Sequence, residues 1–445
     1  MSSVIRPTQQ WPRGPENELH HAAFDGSKER TLDLLSRGLI NIDQGTPNGW
    51  TPLIYAAQDG HSRVARVLLD GGANVSIAAD GGITALHMSA QDGHLAVTID
   101  LVKAGADLDA PGVEGATPLH LASQYGHTEV VATLVEAGAK VNSRAGDGRT
   151  PLYMAALDGR LGVVKELLRA NANPRLTSTT RRGFVRTPLD VAVTNGHQEV
   201  VCELIQRAGI EGWCVGSRGV EVLAMAAGHV GVMAILMDAG VVDTGEALCA
   251  AAGNSRRAAV QFLLQRRQLE GSPTGLVGYV NFRDPLGCTP LFRSIERFAT
   301  DDDGIPPLIS VKVIRLLIDA GADTSSAVRF TNTRGWLRFH GTPLTFTNLH
   351  LRTGGVGQIR DSTDEQMNTL EAVRRTLLRV DAARAVSWLW VRELLLVGGA
   401  EEVSSRKRAR KTQARGMHLA SMLPILRRRR RGVLVASLFR YANYA

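Results

Sequence analysis

The sequence predicts an all-α solenoid of stacked helix–turn–helix units joined by β-hairpin turns. Three observations carry that expectation: a Thr-Pro-Leu pattern at a fixed interval, a glycine at a fixed distance behind each copy, and a composition suited to close helix packing. Thr51-Pro52-Leu53-Ile54 returns as Thr84-Ala85-Leu86-His87, Thr117-Pro118-Leu119-His120 and Thr150-Pro151-Leu152-Tyr153, the threonines 33 residues apart each time. Thr187-Pro188-Leu189-Asp190 follows after 37 residues. Seven residues beyond each leucine stands Gly60, Gly93, Gly126, Gly159 or Gly196, followed by His61, His94, His127, Arg160 or His197. Only 5% of residues are aromatic while glycine numbers 46, a balance that favours small-residue helix packing and tight turns over a β-sandwich.

Each element has a local reason. The threonine supplies an N-cap oxygen for an orphan backbone N–H, and proline at the first helical position lacks an N–H that would go unpaired there. Leu53, Ala56 and Ala57 let a short first helix approach its neighbour closely. Gly60 ends that helix where a left-handed residue is convenient. The second helix carries an apolar stripe at helical spacing, as in Val64 and Leu68, and closes on a small-residue turn such as Asp70-Gly71-Gly72. Clusters such as Thr46-Pro47-Asn48-Gly49 turn the chain into the next unit. One helix pair cannot bury its own apolar face, so stability must come from stacking.

This register resembles the ankyrin repeat, whose period is about 33 residues and whose motif reads T-P-L-H-x-A. An earlier unit fits at Glu18–Gly26 with Leu34-Leu35, and later ones are more ragged. Leu223 to Gly228-His229 and Leu248 to Gly253-Asn254 each read two residues short between leucine and glycine. Thr289-Pro290-Leu291-Phe292 restores the motif, Thr300 to Pro307 interrupts it, and Val311 to Ala322 reads as a second helix. Thr342-Pro343-Leu344 opens another unit after a long turn with Trp336. Asp361 to Val380 reads as an amphipathic helix with Met367, Leu370, Val373 and Leu377 on one face, and Val391 to Gly399 as one more second helix. About ten units result. The expected organisation is an N-terminal tail (1–16), regular repeats (17–210), divergent repeats with insertions and C-terminal helices (211–400), and a basic tail (401–445).

The net charge of +8 is unevenly placed, because residues 401–445 hold 12 Lys and Arg against 2 Asp and Glu, leaving the rest of the chain at −2. Arg406, Lys407, Arg408, Arg410 and Lys411 form a candidate nuclear-import signal, and Arg427 to Arg431 a second cationic run. Such runs also attract nucleic acid by charge alone, although neither aromatic–basic interleaving nor a DNA-reading motif accompanies them. Cys202, Cys214, Cys249 and Cys288 form no C-x-x-C pair, which fits reduced thiols inside the cell. The first residues lack a signal-peptide core, and no apolar run approaches the roughly 18 residues of a membrane span. The expected location is the cytoplasm, the nucleus or both.

No motif of catalytic or metal chemistry emerges. His20, His87 and His120 take the fourth motif position, while His61, His94, His127, His197 and His229 follow the glycine. The resemblance implies that both sets bond within and between units. His21, His340, His350 and His418 have no Cys or His partner at zinc spacing. The chain carries no P-loop, G-x-S-x-G or H-E-x-x-H sequence. Thr353–Gly357 reads as a glycine-rich loop, and Asp301–Gly304 as a solvated acidic turn without the ligands of a calcium loop. No cofactor, metal, small-molecule substrate or membrane partner is therefore expected.

The expected function is that of a protein-binding scaffold or adaptor. The alternative is a nuclear regulator whose basic tail contacts nucleic acid or chromatin while the repeats recruit a partner. The resemblance implies contact through hairpin tips and the exposed side of the first helices. By register these slots hold Asn48, Glu114 and Asp147 at the tips and Trp50, Ile83 and Arg149 just before the threonine. Gln58, Asp59, Gln91, Asp92, Gln124, Tyr125 and Asp158 precede the turn glycines. Trp50, Ile83 and Tyr125 are expected to point outward as interface anchors.

Overall fold

The computed structural model describes residues 18–38, 40–179, 183–209, 217–270, 273–296, 310–331, 338–345, 347, 368–369 and 371–383. The chain divides into two compact units, Met1–Arg374 and Arg375–Ala445. Described residues of the second unit are 375–383, all helical.

The first unit is built from successive helix pairs: α1 (Glu18–Phe24) with α2 (Lys28–Ser36), α3 (Pro52–Gln58) with α4 (Ser62–Asp70), and α5 (Ala85–Asp92) with α6 (Leu95–Lys103). Next come α7 (Pro118–Tyr125) with α8 (Thr128–Glu136), α9 (Pro151–Leu157) with α10 (Leu161–Arg169), and α11 (Pro188–Asn195) with α12 (Gln198–Ala208). The pairs continue as α13 (Ser217–Met225) with α14 (Val230–Asp238) and α15 (Glu246–Gly253) with α16 (Arg257–Leu269). After α17 (Pro273–Val280) the chain forms α18 (Pro290–Glu296) and α19 (Val311–Asp319). First helices pack on first helices from α1 through α15 to α18, and second helices pack likewise from α2 through α16 to α19. The result is one continuous helical stack.

The caps form as the sequence requires. Thr150 Oγ1 accepts the Tyr153 N–H at 3.2 Å, Thr187 Oγ1 that of Asp190 at 3.2 Å, and Thr289 Oγ1 that of Phe292 at 3.2 Å. The core runs between the two helical layers, with Leu53, Leu86, Leu119 and Leu152 from the first helices and Leu68, Leu101, Leu134 and Leu167 from the second all buried. Inter-unit turns are mostly tight loops. Two are regular antiparallel hairpins, β1 (Ser178–Thr179) with β2 (Val185–Arg186), and β3 (Val328–Thr331) with β4 (Arg338–Gly341). The first stands just before Thr187, where the interval from the preceding threonine is four residues longer than in the regular units.

The late units differ from the sequence expectation in instructive ways. The shortened segment after Leu223 is real: α13 ends in a 3₁₀ turn, Ala226–Gly228, which advances the chain in fewer residues per turn. The segment after Leu248 is not short. Gly253 lies inside α15, and the left-handed position belongs to Ser255 (φ 54°), seven residues beyond the leucine as in the regular units. Helix α17 was not expected; it packs on α16 and buries Tyr279 and Val280. Residues 371–383 are helical with Val373 and Leu377 buried, so this helix runs three residues past the expected end. Trp336, Met367, Leu370, Asp301–Gly304, Thr353–Gly357, Val391–Gly399 and Cys214 lie outside the described residues.

Leu119 is fully buried and Glu136 is exposed. Leu119→Ala should destabilise the chain by roughly 2–5 kcal/mol, and Glu136→Ala by no more than about 0.5 kcal/mol. Urea unfolding monitored by circular dichroism checks this pair, and equal midpoints would refute the assigned register.

Candidate protein-binding face

The units are joined by two sets of histidines that reach in opposite directions along the stack. After each turn glycine, the imidazole reaches back to the last first-helix turn of the preceding unit. His61 Nε2 meets Phe24 O at 2.9 Å, His94 meets Gln58 O at 2.8 Å, His127 meets Gln91 O at 2.8 Å and His197 meets Leu157 O at 3.0 Å. Arg160 takes this place in its unit, its Nε donating to Gln124 O at 3.0 Å. These contacts explain the glycine as well as its left-handed φ. A Cβ on Gly60 would stand 2.4 Å from His94 Nδ1, and one on Gly93 would stand 2.3 Å from His127 Nδ1.

The second set reaches forward. His87 Nδ1 accepts the Thr84 backbone N–H at 3.2 Å, which fixes the proton on Nε2, and Nε2 donates to Ala116 O of the next hairpin at 3.2 Å. His120 repeats this with Thr117 N at 3.1 Å and Arg149 O at 3.0 Å. In the unit of Thr187 the imidazole is replaced by a buried carboxylate. Asp190 accepts the Thr187 N–H at 2.8 Å and pairs with Arg218 of the next unit. A further ladder, which the sequence reading passed over, ties the loops: Asp43, Asp109 and Asn142 Oδ1 accept the N–H groups of Asn74, Lys140 and Asn173 at 2.9, 2.9 and 2.8 Å. Its sequence signal was the 33-residue step from Asp109 to Asn142.

This lattice sorts the expected binding residues. Trp50 and Ile83 are corrected: each is only 4% exposed. They precede the N-cap, where an apolar residue folds back on the fourth helical position. The Trp50 ring accordingly packs on Tyr55 with centroids 5.1 Å apart. Gln91 is buried as well, and the carbonyls of Gln58, Gln91 and Gln124 carry the inter-unit bonds just described. Asn48, Asp59, Asp92, Glu114, Asp147 and Asp158 are exposed, and Tyr125 and Arg149 are half-buried. Backbone links join successive hairpin tips, Asn48 O accepting from Asp80 N at 3.0 Å and Glu114 O from Gly146 N at 2.6 Å. Glu114 itself holds a left-handed backbone (φ 53°), a position that Gly81 fills in the preceding tip.

A groove of about 930 Å³ gathers Ile83, Gln91, Glu114, Gln124, Tyr125, Asp147, Arg149 and Asp158. Asn48, Trp50, Gln58, Asp59 and Asp92 are not among its lining residues. Tyr153, Met154 and Leu157 also line it, and the sequence reading missed them. Tyr153 holds the fourth motif position that carries His20, His87 and His120 in three other units, which was the available signal. Arg149 pairs with Asp147 and, at 3.7 Å, with Glu114, while its Nη1 lies 3.7 Å from Met154 Sδ. Burial, then the carboxylates of Asp92 and Asp158, push the Tyr125 phenol above its ordinary range.

The ankyrin-repeat signature, described as Ankyrin repeats (3 copies), matches residues 12–79, 72–145, 97–179 and 142–214. Residues 12–214 carry ankyrin repeats. Over 52 residues the chain is similar to "Ankyrin repeat, SAM and basic leucine zipper domain-containing protein 1" of Callithrix jacchus, with 44% identity. The proteins of that name from Saimiri boliviensis boliviensis and Ateles geoffroyi are each 42% identical over 52 residues. Each match covers 12% of this chain and 11% of the relative. Ankyrin arrays are general protein-interaction modules that present an extended concave surface. Among the described residues, no helix is long and apolar enough to cross a membrane.

The buried histidines set an acid limit on the ankyrin array. Burial pushes His87 down to about 4, and it also lowers His20 and His120. The unfolded chain takes up these protons below about pH 6.5, whereas folded His87 does so only near 4. Stability is therefore full above about pH 6.5 and declines as pH falls toward about 4, by roughly 3 kcal/mol from His87 alone. Urea midpoints measured at pH 7 and pH 4.5 should show this loss, and His87→Ile should reduce the difference.

Proposed function

We propose that this chain is a non-catalytic scaffold that binds a partner protein in the groove between the hairpin tips and the first helices of the regular repeats. The observation that carries the reading is the half-exposed Tyr125 within that groove. The neighbouring inter-unit bonds use the backbone carbonyls of Gln91 and Gln124, so the side chains there are not what holds the stack together. A standard interface covers on the order of 800 Å² per partner, an area that several adjacent units are needed to supply. Within such an area a few aromatic or arginine anchors dominate, each worth about 2 kcal/mol or more.

The concentration of 12 basic residues in 401–445 supports a separate role in nuclear import. Partner capture with the full chain, followed by titration, tests both parts. Tyr125→Ala should weaken the captured partner by roughly tenfold or more with little change in melting temperature. Deletion of 401–445 should leave that affinity intact and reduce nuclear accumulation of a fluorescent fusion. Loss of binding on tail deletion alone would make the tail the binding surface instead.

A further inference from the structure

The groove proposed above as the docking face has an uneven charge. The residue before each turn position recurs in register as Asp25, Asp59, Asp92, Tyr125, Asp158 and Asn195, and the four aspartates are exposed. Because α5, α7 and α9 pack in succession, Asp92 and Asp158 flank Tyr125 from the units before and after it. Asp158 lines the groove together with Tyr125, Asp92 holds the equivalent register position one unit earlier, and both carboxylates help to raise the phenol above its ordinary range after burial. The tips add the exposed Glu114 and Asp147. Of the two guanidinium groups of the groove, Arg149 is neutralised by Asp147 and Glu114, whereas Arg160 donates to Gln124 O and keeps its charge. The lining carboxylates therefore exceed the lining guanidinium groups by one, Glu114, Asp147 and Asp158 against Arg149 and Arg160.

An aspartate before a turn glycine suits the turn by itself. Turn chemistry does not, however, account for a half-exposed tyrosine in this register, beside Asp158, Leu121, Met154 and Leu157 of the same groove. An aromatic face attracts a cation through its quadrupole, and a flanking carboxylate adds direct attraction. The same carboxylates repel phosphate, so the face is unsuited to nucleic acid.

We propose that the groove takes an extended segment of a partner protein whose arginine or lysine seats its cationic group on Tyr125 against Asp158, with Asp92 of the preceding unit adding its charge from outside the lining. Apolar side chains neighbouring that cation pack on Leu121, Met154 and Leu157. This inference rests on the docking role proposed above and adds the chemistry of the occupant. Attraction of this kind is screened by salt over roughly 8–10 Å, so affinity should fall as ionic strength rises.

The test is selection of random 12-residue peptides on the full chain, then calorimetric titration of the recovered peptides at low and high NaCl. The titrations use wild type, Asp92→Asn with Asp158→Asn, Tyr125→Phe and Tyr125→Ala, each verified by thermal melting. Recovered peptides should share an arginine or lysine at one position. The double asparagine variant should weaken them by about five- to tenfold and flatten their salt dependence, while Tyr125→Phe binds and Tyr125→Ala does not. Recovery of no peptide, or of peptides without a shared cation, or unchanged affinity for the double variant, would overturn the proposal. If Tyr125→Ala alone still abolishes binding, the groove remains the docking face and only the cationic occupant fails. If no groove variant matters, both readings fail. Self-association that the double variant abolishes would assign the groove to a second copy of the chain and overturn the partner assignment.

Discussion

The structure depends on the joint between consecutive units, where an imidazole lies across a left-handed glycine and bonds to the last helical turn of its predecessor. A helix pair of this size leaves one apolar face open, and only a neighbour can cover it. The joint sets how that neighbour sits. His94 on Gly60 and Gln58 O, and His127 on Gly93 and Gln91 O, fix the same spacing at successive steps. With the spacing fixed, Leu119 and its equivalents are buried between the helical layers of adjacent units.

Departures from the pattern preserve the joint by other chemistry. Arg160 reaches Gln124 O with a guanidinium where imidazole is missing, and Asp190 replaces a forward-reaching histidine by pairing with Arg218. Ser255 adopts the left-handed backbone normally given to glycine. Such replacements keep the stack continuous as far as α19. At Gln58, Gln91 and Gln124 the joint uses the main-chain carbonyl and not the side-chain amide.

Much of this was legible in the sequence. The period located the first helices, the threonine caps and both histidine sets, since each depends on residue type at a fixed register. Trp50 and Ile83 were misplaced because register gives a position along the chain and not the direction of a side chain. Pairing Trp50 with Tyr55, or Arg149 with Met154, would have revealed the fold-back: both pairs join the residue before the N-cap to the fourth helical position. The misreading at Gly253 has a different origin. A glycine is the usual left-handed residue, so Ser255 gave no signal until its backbone was placed. The groove contribution of Tyr153, Met154 and Leu157 depends on stacking across units, which no single repeat encodes.

The histidine after the turn glycine ties two units together and is not a local feature of its own helix. Hydrogen–deuterium exchange of the full chain carrying His127→Ala tests this most directly. Protection should fall in α5, whose Gln91 carbonyl loses its donor, as well as in α7 and α8. Protection lost only at the start of α8, with α5 unchanged from wild type, would contradict the claim.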